Sequence, residues 1–260
     1  MRRYKDIPYS VQSSAPNRHA PQSADACVLD LYLPDGDFDA VFVYFHGGGL
    51  EGGSKACPES FVRGFTANGV ALVSAEYRMY PQAKWPDFIH DAAAAVKWVC
   101  DRIGEYGADK PIFVGGSSAG GYLSMMLCFD PSYYAAAGVD AARITGYIHD
   151  AGQPTAHFNV LRERGIDSRR LIVDETAPLY FVGTQPSYPP MLFLVADADM
   201  ENRYEQTVLL LSTLKHFGCE SSCTLRVMHG THCSYTFAED AQGNSIFAEM
   251  ACSFIAANAK

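Results

Sequence analysis

The sequence predicts a single α/β domain, a mostly parallel sheet with helices on both faces, and three observations predict it. Short apolar, β-branched runs alternate along the chain with longer segments of helical character. The runs are apolar almost throughout rather than at every second position, as strands buried on both faces require. A Gly-Gly-Ser-Ser-Ala-Gly-Gly stretch at 115–121 follows directly on one such run, where a strand would turn sharply into a helix.

Seven strands are expected: 27–33 (CVLDLYL), 40–45 (AVFVYF), 70–75 (VALVSA), 111–115 (PIFVG), 144–149 (ITGYIH), 191–196 (MLFLVA) and 223–228 (CTLRVM). Helices are expected between them at 58–68, 87–103, 119–129, 201–217 and 244–257. The segment opening at Asp87 carries four consecutive alanines, acids in its first turn and Pro86 just before it, a helix start by propensity and by dipole. Residues 1–26 are polar and dotted with proline, and hold at most a loose edge strand. Residues 150–190 break the alternation with scattered prolines, the charged patch Arg162-Glu163-Arg164 and the aromatics Phe158, Tyr180, Phe181 and Tyr188. This segment reads either as an insertion or small lid near the carboxyl ends of the strands, where open α/β sheets take their ligands, or as a surface connection with one ordinary helix. The domain is otherwise continuous over 1–260.

Composition narrows the function classes. The chain has 260 residues, 48% of them hydrophobic, and a net charge of −9. No basic stripe exists to neutralise nucleic-acid phosphates, and the same balance disfavours an anionic membrane surface. No apolar run reaches spanning length. The start, Met1-Arg2-Arg3-Tyr4-Lys5-Asp6, is basic, but an acid and Pro8 stand where a secretory leader would be apolar, so the expected location is the cytoplasm. Eight cysteines are scattered without a C-x-x-C pair or a spaced Cys/His set, so no zinc site is expected and most should be small buried hydrophobes. Cys233 stands apart because it adjoins a histidine. The sequence does not set the oligomeric state; a homodimer is compatible with it.

Within 115–121, Gly116-x-Ser118-x-Gly120 places Ser118 on the turn, with glycines to let the chain pass close on either side. A serine hydroxyl is a poor nucleophile until a base takes its proton, and the base needs an acid to orient it. Both should lie at the ends of later strands. The run ending at Ala196 leads into Asp197-Ala198-Asp199, and the run ending at Met228 leads into His229-Gly230-Thr231-His232. Asp199, deeper in its loop, has more freedom to turn toward an imidazole, whereas Asp197 suits the strand end or a cap on the helix near Glu201. His232 follows Gly230 into the loop, whereas His229 belongs to the strand end. Asp199 and His232 are therefore favoured, with Asp197 and His229 as the alternatives. Acyl transfer also needs amide donors where charge develops on the carbonyl oxygen. Tyr44-Phe45-His46-Gly47-Gly48-Gly49 runs a buried strand into three glycines, and Ala119 adds the amide after the nucleophile. A phosphate loop is a poor reading of this stretch, because 49–55 lacks the G-K-[ST] ending and carries Glu51. Glu51 and Tyr235 are candidate substrate contacts, and the chemistry requires no metal or organic cofactor.

With these residues in place, the chain resembles the α/β-hydrolase superfamily, and within it the hormone-sensitive-lipase-like esterases. The resemblance rests on His46-Gly47-Gly48-Gly49, on Gly116-Ser117-Ser118-Ala119-Gly120-Gly121, and on Glu76-Tyr77-Arg78-Met79-Tyr80-Pro81 followed by Trp85-Pro86-Asp87. It covers roughly residues 40–235. It implies an α/β-hydrolase fold, Ser118 as nucleophile, His232 as base, Asp199 as orienting acid, and the amides of Gly48, Gly49 and Ala119 as an oxyanion hole. Two departures stand out: few residues precede the glycines, where larger relatives carry a helical cap, and the acid is followed by Met200-Glu201 rather than Pro-Leu. The resemblance thus points to small carboxylesterases, feruloyl or acetyl-xylan esterases and kynurenine formamidases. The last tend to show a tryptophan after the glycines, where this chain has Leu50. The expected function is a serine hydrolase of small carboxylic esters, short-chain acyl or acetylated or feruloylated carbohydrate esters, acting through an acyl-enzyme. The alternatives are an aryl formamidase and a ligand-binding protein on a hydrolase scaffold.

Overall fold

Eight strands form one sheet in the order β1-β2-β4-β3-β5-β6-β7-β8 in the computed structural model, which describes residues 1–9, 27–107 and 109–259. Strands β1 (Arg2–Pro8) and β2 (Val28–Leu33) pair antiparallel at one edge, and β2 is antiparallel to β4 (Val70–Ala75). From β4 onward through β3 (Ala40–Phe45), β5 (Ile112–Ser117), β6 (Ile144–Asp150), β7 (Met191–Ala198) and β8 (Cys223–Thr231), every pairing is parallel. The expected strands are all present. The edge strand expected within 1–26 is β1, and the rest of that segment, 10–26, lies outside the described residues.

The central strands β3 and β4 have no exposed residue, because alternate side chains enter two different cores. Val41, Val43 and Phe45 pack on one face with α2 (Asp87–Arg102), α3 (Ala119–Phe129) and α6 (Arg203–His216). Phe42 and Tyr44 pack on the other with α1 (Glu59–Ala67) and α7 (Ile246–Asn258). Burial on both sides is what makes these strands read as continuous apolar runs. At the outer edge β8 is half-exposed, and β1 is exposed along almost its whole length.

Two strands run further than their apolar character. β7 continues through Asp197 to Ala198 and β8 through His229 to Thr231, extending the ladder to an Ala198–Thr231 pair. A short helix, α4 (Ser132–Ala137), follows α3 and ends on Gly138 in the left-handed conformation. Within 150–190 lie α5 (Phe158–Glu163) and a 3₁₀ turn at Pro178–Phe181, with a small apolar cluster of Ala156, Leu161 and Ala177 between them. Every connection that matters for the chemistry leaves the same edge of the sheet, the carboxyl ends of β3, β5, β6, β7 and β8.

Candidate active site

Ser118 sits alone between β5 and α3, at φ 56° and ψ −111°. A residue with a β-carbon rarely adopts that backbone, and the strain, of order 1–3 kcal/mol, persists only where neighbours hold it. Here the Ser118 amide donates to the Asp150 carbonyl at 2.7 Å, and the Ser118 carbonyl accepts from the Tyr122 amide at 3.0 Å. The turn is tight because β3 passes over it. A β-carbon on Gly120 would lie 1.9 Å from the Phe45 carbonyl oxygen, and one on Gly116 would lie 2.4 Å from it. Glycine is the only residue that admits this crossing.

The loops after β7 and β8 bring their side chains to that turn. His232 Nε2 lies 2.8 Å from Ser118 Oγ, and His232 Nδ1 lies 2.5 Å from Asp199 Oδ1. The Asp199 side chain is fully buried, and its oxygens also accept from the amides of Met200 at 2.7 Å and Ala196 at 3.2 Å. Burial pushes the Asp199 carboxyl upward, but the hydrogen bond from His232 and those two amides outweigh it and hold it below the ordinary range. A carboxylate that stays ionised fixes the ring with Nδ1 protonated, leaving Nε2 free to accept the serine proton.

The other two residues of the ambiguous pairs find each other instead. Asp197 accepts from His229 Nδ1 at 2.8 Å and from the Gly230 amide at 2.9 Å, in a pair whose imidazole is 98% exposed. Asp197 thus caps no helix. Helix α6 begins only at Arg203, after Asn202 in the left-handed region.

The three glycines after β3 form a turn at φ 119° for Gly48 and 67° for Gly49. No carbonyl of a described residue accepts from the amides of Gly48, Gly49 or Ala119. The turn is held from below by His46, which is buried: its Nδ1 donates to the Gly47 carbonyl at 2.6 Å and its Nε2 pairs with Glu76 at 2.9 Å. Tyr77 stacks on the same ring and donates to the His46 carbonyl at 2.9 Å. Helix α5 leans on the turn from above, its Phe158 ring 3.1 Å from where a Gly49 β-carbon would stand.

Glu51 and Tyr235 lie close to this site, but neither presents a free polar group. Glu51 is taken by Asn159 at 2.9 Å and by Arg162 at 2.8 Å, so it ties the glycine turn to α5. Tyr235 is buried, and its hydroxyl donates to Asp150 at 2.6 Å beneath the His232 loop. The thiol of Cys233 lies 3.7 Å from His232 Nε2, and burial pushes it far above the ordinary thiol range, so it is no thiolate. Sequence reasoning gave no role to Asp150, nor to Glu76, which it quoted only within the 76–81 block. Asp150 left the one available signal, an acid closing an otherwise apolar strand. Among the described residues no group of three His, Cys, Asp or Glu is placed to hold a metal ion, and no helix is long and apolar enough to cross a membrane.

Comparison with known proteins agrees with this architecture. The BD-FAE family model matches residues 29–135, which carry the glycine turn and the Ser118 turn. Over 89 residues the chain is 37% identical to carboxylesterase NlhH of Mycobacterium tuberculosis, a match spanning 34% of this chain and 28% of that one. Over 96 residues it is 36% identical to esterase LipI of the same organism, spanning 36% and 30%. The chain therefore spans less than a third of the length of these curated relatives. Among solved structures, a truncated carbohydrate esterase from gut microbiota superposes with a TM-score of 0.77 at 19% identity, covering 100% of this chain and 96% of that one. The propionate-bound esterase Est2 of Thermogutta terrifontis superposes at 0.69 with 24% identity, over 88% and 89%. The likeness across nearly the whole chain shows that this protein has the α/β-hydrolase fold, and its sequence over residues 29–135 is similar to that of the BD-FAE family and of these esterases.

Proposed function

We propose that this protein is a serine hydrolase that cleaves small carboxylic esters through an acyl-enzyme. The observation that carries the reading is the unbroken relay from Asp199 through His232 to Ser118, with links of 2.5 and 2.8 Å. Such a relay costs strain at Ser118 and a buried carboxylate at Asp199, and its chemical use is to make a hydroxyl nucleophilic.

In this mechanism His232 Nε2 takes the Ser118 proton as Oγ attacks the ester carbonyl. The carbonyl oxygen gains the electron pair and is received by the amides of Gly48, Gly49 and Ala119. Losing one donor of this kind typically costs about 10²–10³ in turnover. Ala119 also opens α3, so its amide adds the positive end of a helix to that position. His232, now charged and held by Asp199, gives its proton to the departing alcohol. Water then repeats the sequence on the acyl-enzyme, with His232 as base, and releases the acid.

Small acyl groups suit the surroundings. Phe158 stands against the glycine turn and offers an apolar wall beside the carbonyl position, with Arg162 over its ring at 5.8 Å. An acetyl or another short acyl ester, including one carried on a carbohydrate, is the expected substrate class; the fold neighbour from gut microbiota is itself a carbohydrate esterase.

The test is Ser118→Ala assayed on p-nitrophenyl acetate, with the circular dichroism spectrum as the folding control. Turnover should fall by at least about 10³-fold, the usual scale for loss of the nucleophile, and covalent labelling by a fluorophosphonate should disappear. Undiminished turnover in the folded variant would refute the proposal.

A further inference from the structure

Asp150 closes β6 and is fully buried, yet the reaction sequence above gives it no part. It touches both halves of the relay by different atoms. Its main-chain carbonyl takes the Ser118 amide at 2.7 Å and so holds the strained turn. Its side chain reaches the other way: Oδ1 accepts from the Tyr235 hydroxyl at 2.6 Å and Oδ2 from the Thr236 hydroxyl at 2.8 Å. Those two residues lie three and four positions beyond His232. The turn between them passes through Cys233 in the left-handed region, at φ 53°, and closes with the Thr236 amide on the Cys233 carbonyl at 3.1 Å. The Ser117 hydroxyl, which accepts from Tyr44 at 3.1 Å, faces the same carboxyl group.

A residue that merely filled the core at this place would be apolar, since a buried carboxyl group needs every one of its partners to offset desolvation. What the hydroxyls gain by converging on it is a fixed height for the loop. Ser118 and His232 are far apart in sequence and meet across a single 2.8 Å contact, so a common anchor beneath both determines whether they align.

We propose that Asp150 is a positioning residue for the Ser118–His232 pair, holding the serine turn by its carbonyl and the histidine loop by its carboxyl group through Tyr235 and Thr236. The role rests on the nucleophile–base reading of that pair. Misplacement of a reacting group by about 1 Å can cost on the order of 10²-fold in rate.

The experiment follows fluorophosphonate labelling and p-nitrophenyl acetate kinetics in Thr236→Val, Thr236→Ser, Tyr235→Phe and Asp150→Asn. Thr236→Val loses the hydroxyl in nearly the same volume, and should lower kcat and the labelling rate constant roughly 10-fold with KM within about 2-fold. Labelling should still run to completion. Thr236→Ser keeps the hydroxyl and should recover most of the rate, and Asp150→Asn should lose on the order of 10²-fold. A purely structural role would instead lower the fraction that labels and leave its rate constant alone, and that result, or unchanged rates throughout, overturns the proposal. If Asp150→Asn does not fold, the Val and Ser variants at 236 decide the matter alone. Absence of labelling in the unaltered protein would sink the nucleophile–base reading itself, a different outcome from normal labelling in every variant.

Discussion

Asp199 and Asp197 are two residues apart on the chain, and their surroundings assign them opposite conditions. Asp199 turns inward, loses all solvent and takes hydrogen bonds from an imidazole and two amides. Asp197 turns outward and pairs with a histidine that is itself in water. The hydrogen bonds from the Gly230 amide and His229 hold Asp197 below the ordinary range, but a solvent-exposed pair of this kind has little bearing on stability or rate. Asp199→Asn should therefore lower kcat for p-nitrophenyl acetate by about 10³–10⁴-fold, because an amide no longer enforces the ring tautomer that accepts the serine proton. Asp197→Asn should stay within about 2-fold of the unaltered protein. Steady-state kinetics on both variants checks this, and a large loss from Asp197→Asn with none from Asp199→Asn would reverse the assignment. Two residues apart on one strand they would share a face; the strand ends at Ala198, and the turn beyond it swings Asp199 inward, a change that the string Asp-Ala-Asp carries only faintly.

At the scale of elements, β6 shows what pattern reading can and cannot reach. Ile144-Thr-Gly-Tyr-Ile is legible as a buried strand because its apolar side chains feed both cores. Asp150 falls just past the strand expected at 144–149, and only the finished packing shows it and His149 fully enclosed. His149 lies among Tyr147, Phe129 and Phe193. Ser124 of α3 donates to the Gly121 carbonyl at 3.0 Å and accepts from His149 Nδ1 at 2.8 Å, which leaves Nε2 a bare buried acceptor. Burial pushes this imidazole down to about 3. The unfolded chain binds a proton at this histidine below its ordinary value of 6.5 while the folded chain does not, so stability falls as pH drops through the window from 6.5 toward 3. Between pH 7 and 5 the single group should remove about 2 kcal/mol. Urea unfolding at both pH values should show His149→Phe losing less on acidification by about that amount, and equal losses would show that the ring titrates freely in the fold. The same contrast governs β1. It was foreseeable only as a loose edge strand, because ladder bonds to β2 rather than buried side chains hold it. The short helix α4 lacks the length to show a period at all.

Over the whole molecule, the edge of the sheet that carries the candidate site is steadied by charges placed far from it, and these are not equal in effect. The chain carries 29 acidic against 20 basic residues, and most of its ion pairs lie on the surface, where their mutual attraction is screened. The pair between Arg78 and Asp91 is different. Asp91 lies in α2 with no exposed side-chain surface, and it receives the Arg78 amide at 2.9 Å, Nε at 2.8 Å and a terminal nitrogen at 2.6 Å. Arg78 follows Tyr77, which stacks on His46 under the glycine turn, so this pair fastens α2 to the segment that supports the amides beside Ser118. Asp91→Ala strands a largely buried guanidinium together with an unpaired amide, and should cost about 3 kcal/mol or more in urea unfolding. Lys97→Ala, on the same helix, breaks a surface contact with Asp101 at 2.7 Å and should cost no more than about 0.5 kcal/mol. The comparison holds helix, method and background constant, so similar small losses from both variants would mean that Asp91 is not what fastens α2 beneath the glycine turn. A large loss from Asp91→Ala, with a matching fall in p-nitrophenyl acetate turnover among the molecules that remain folded, would place the support for those amides a full helix away from the reacting atoms.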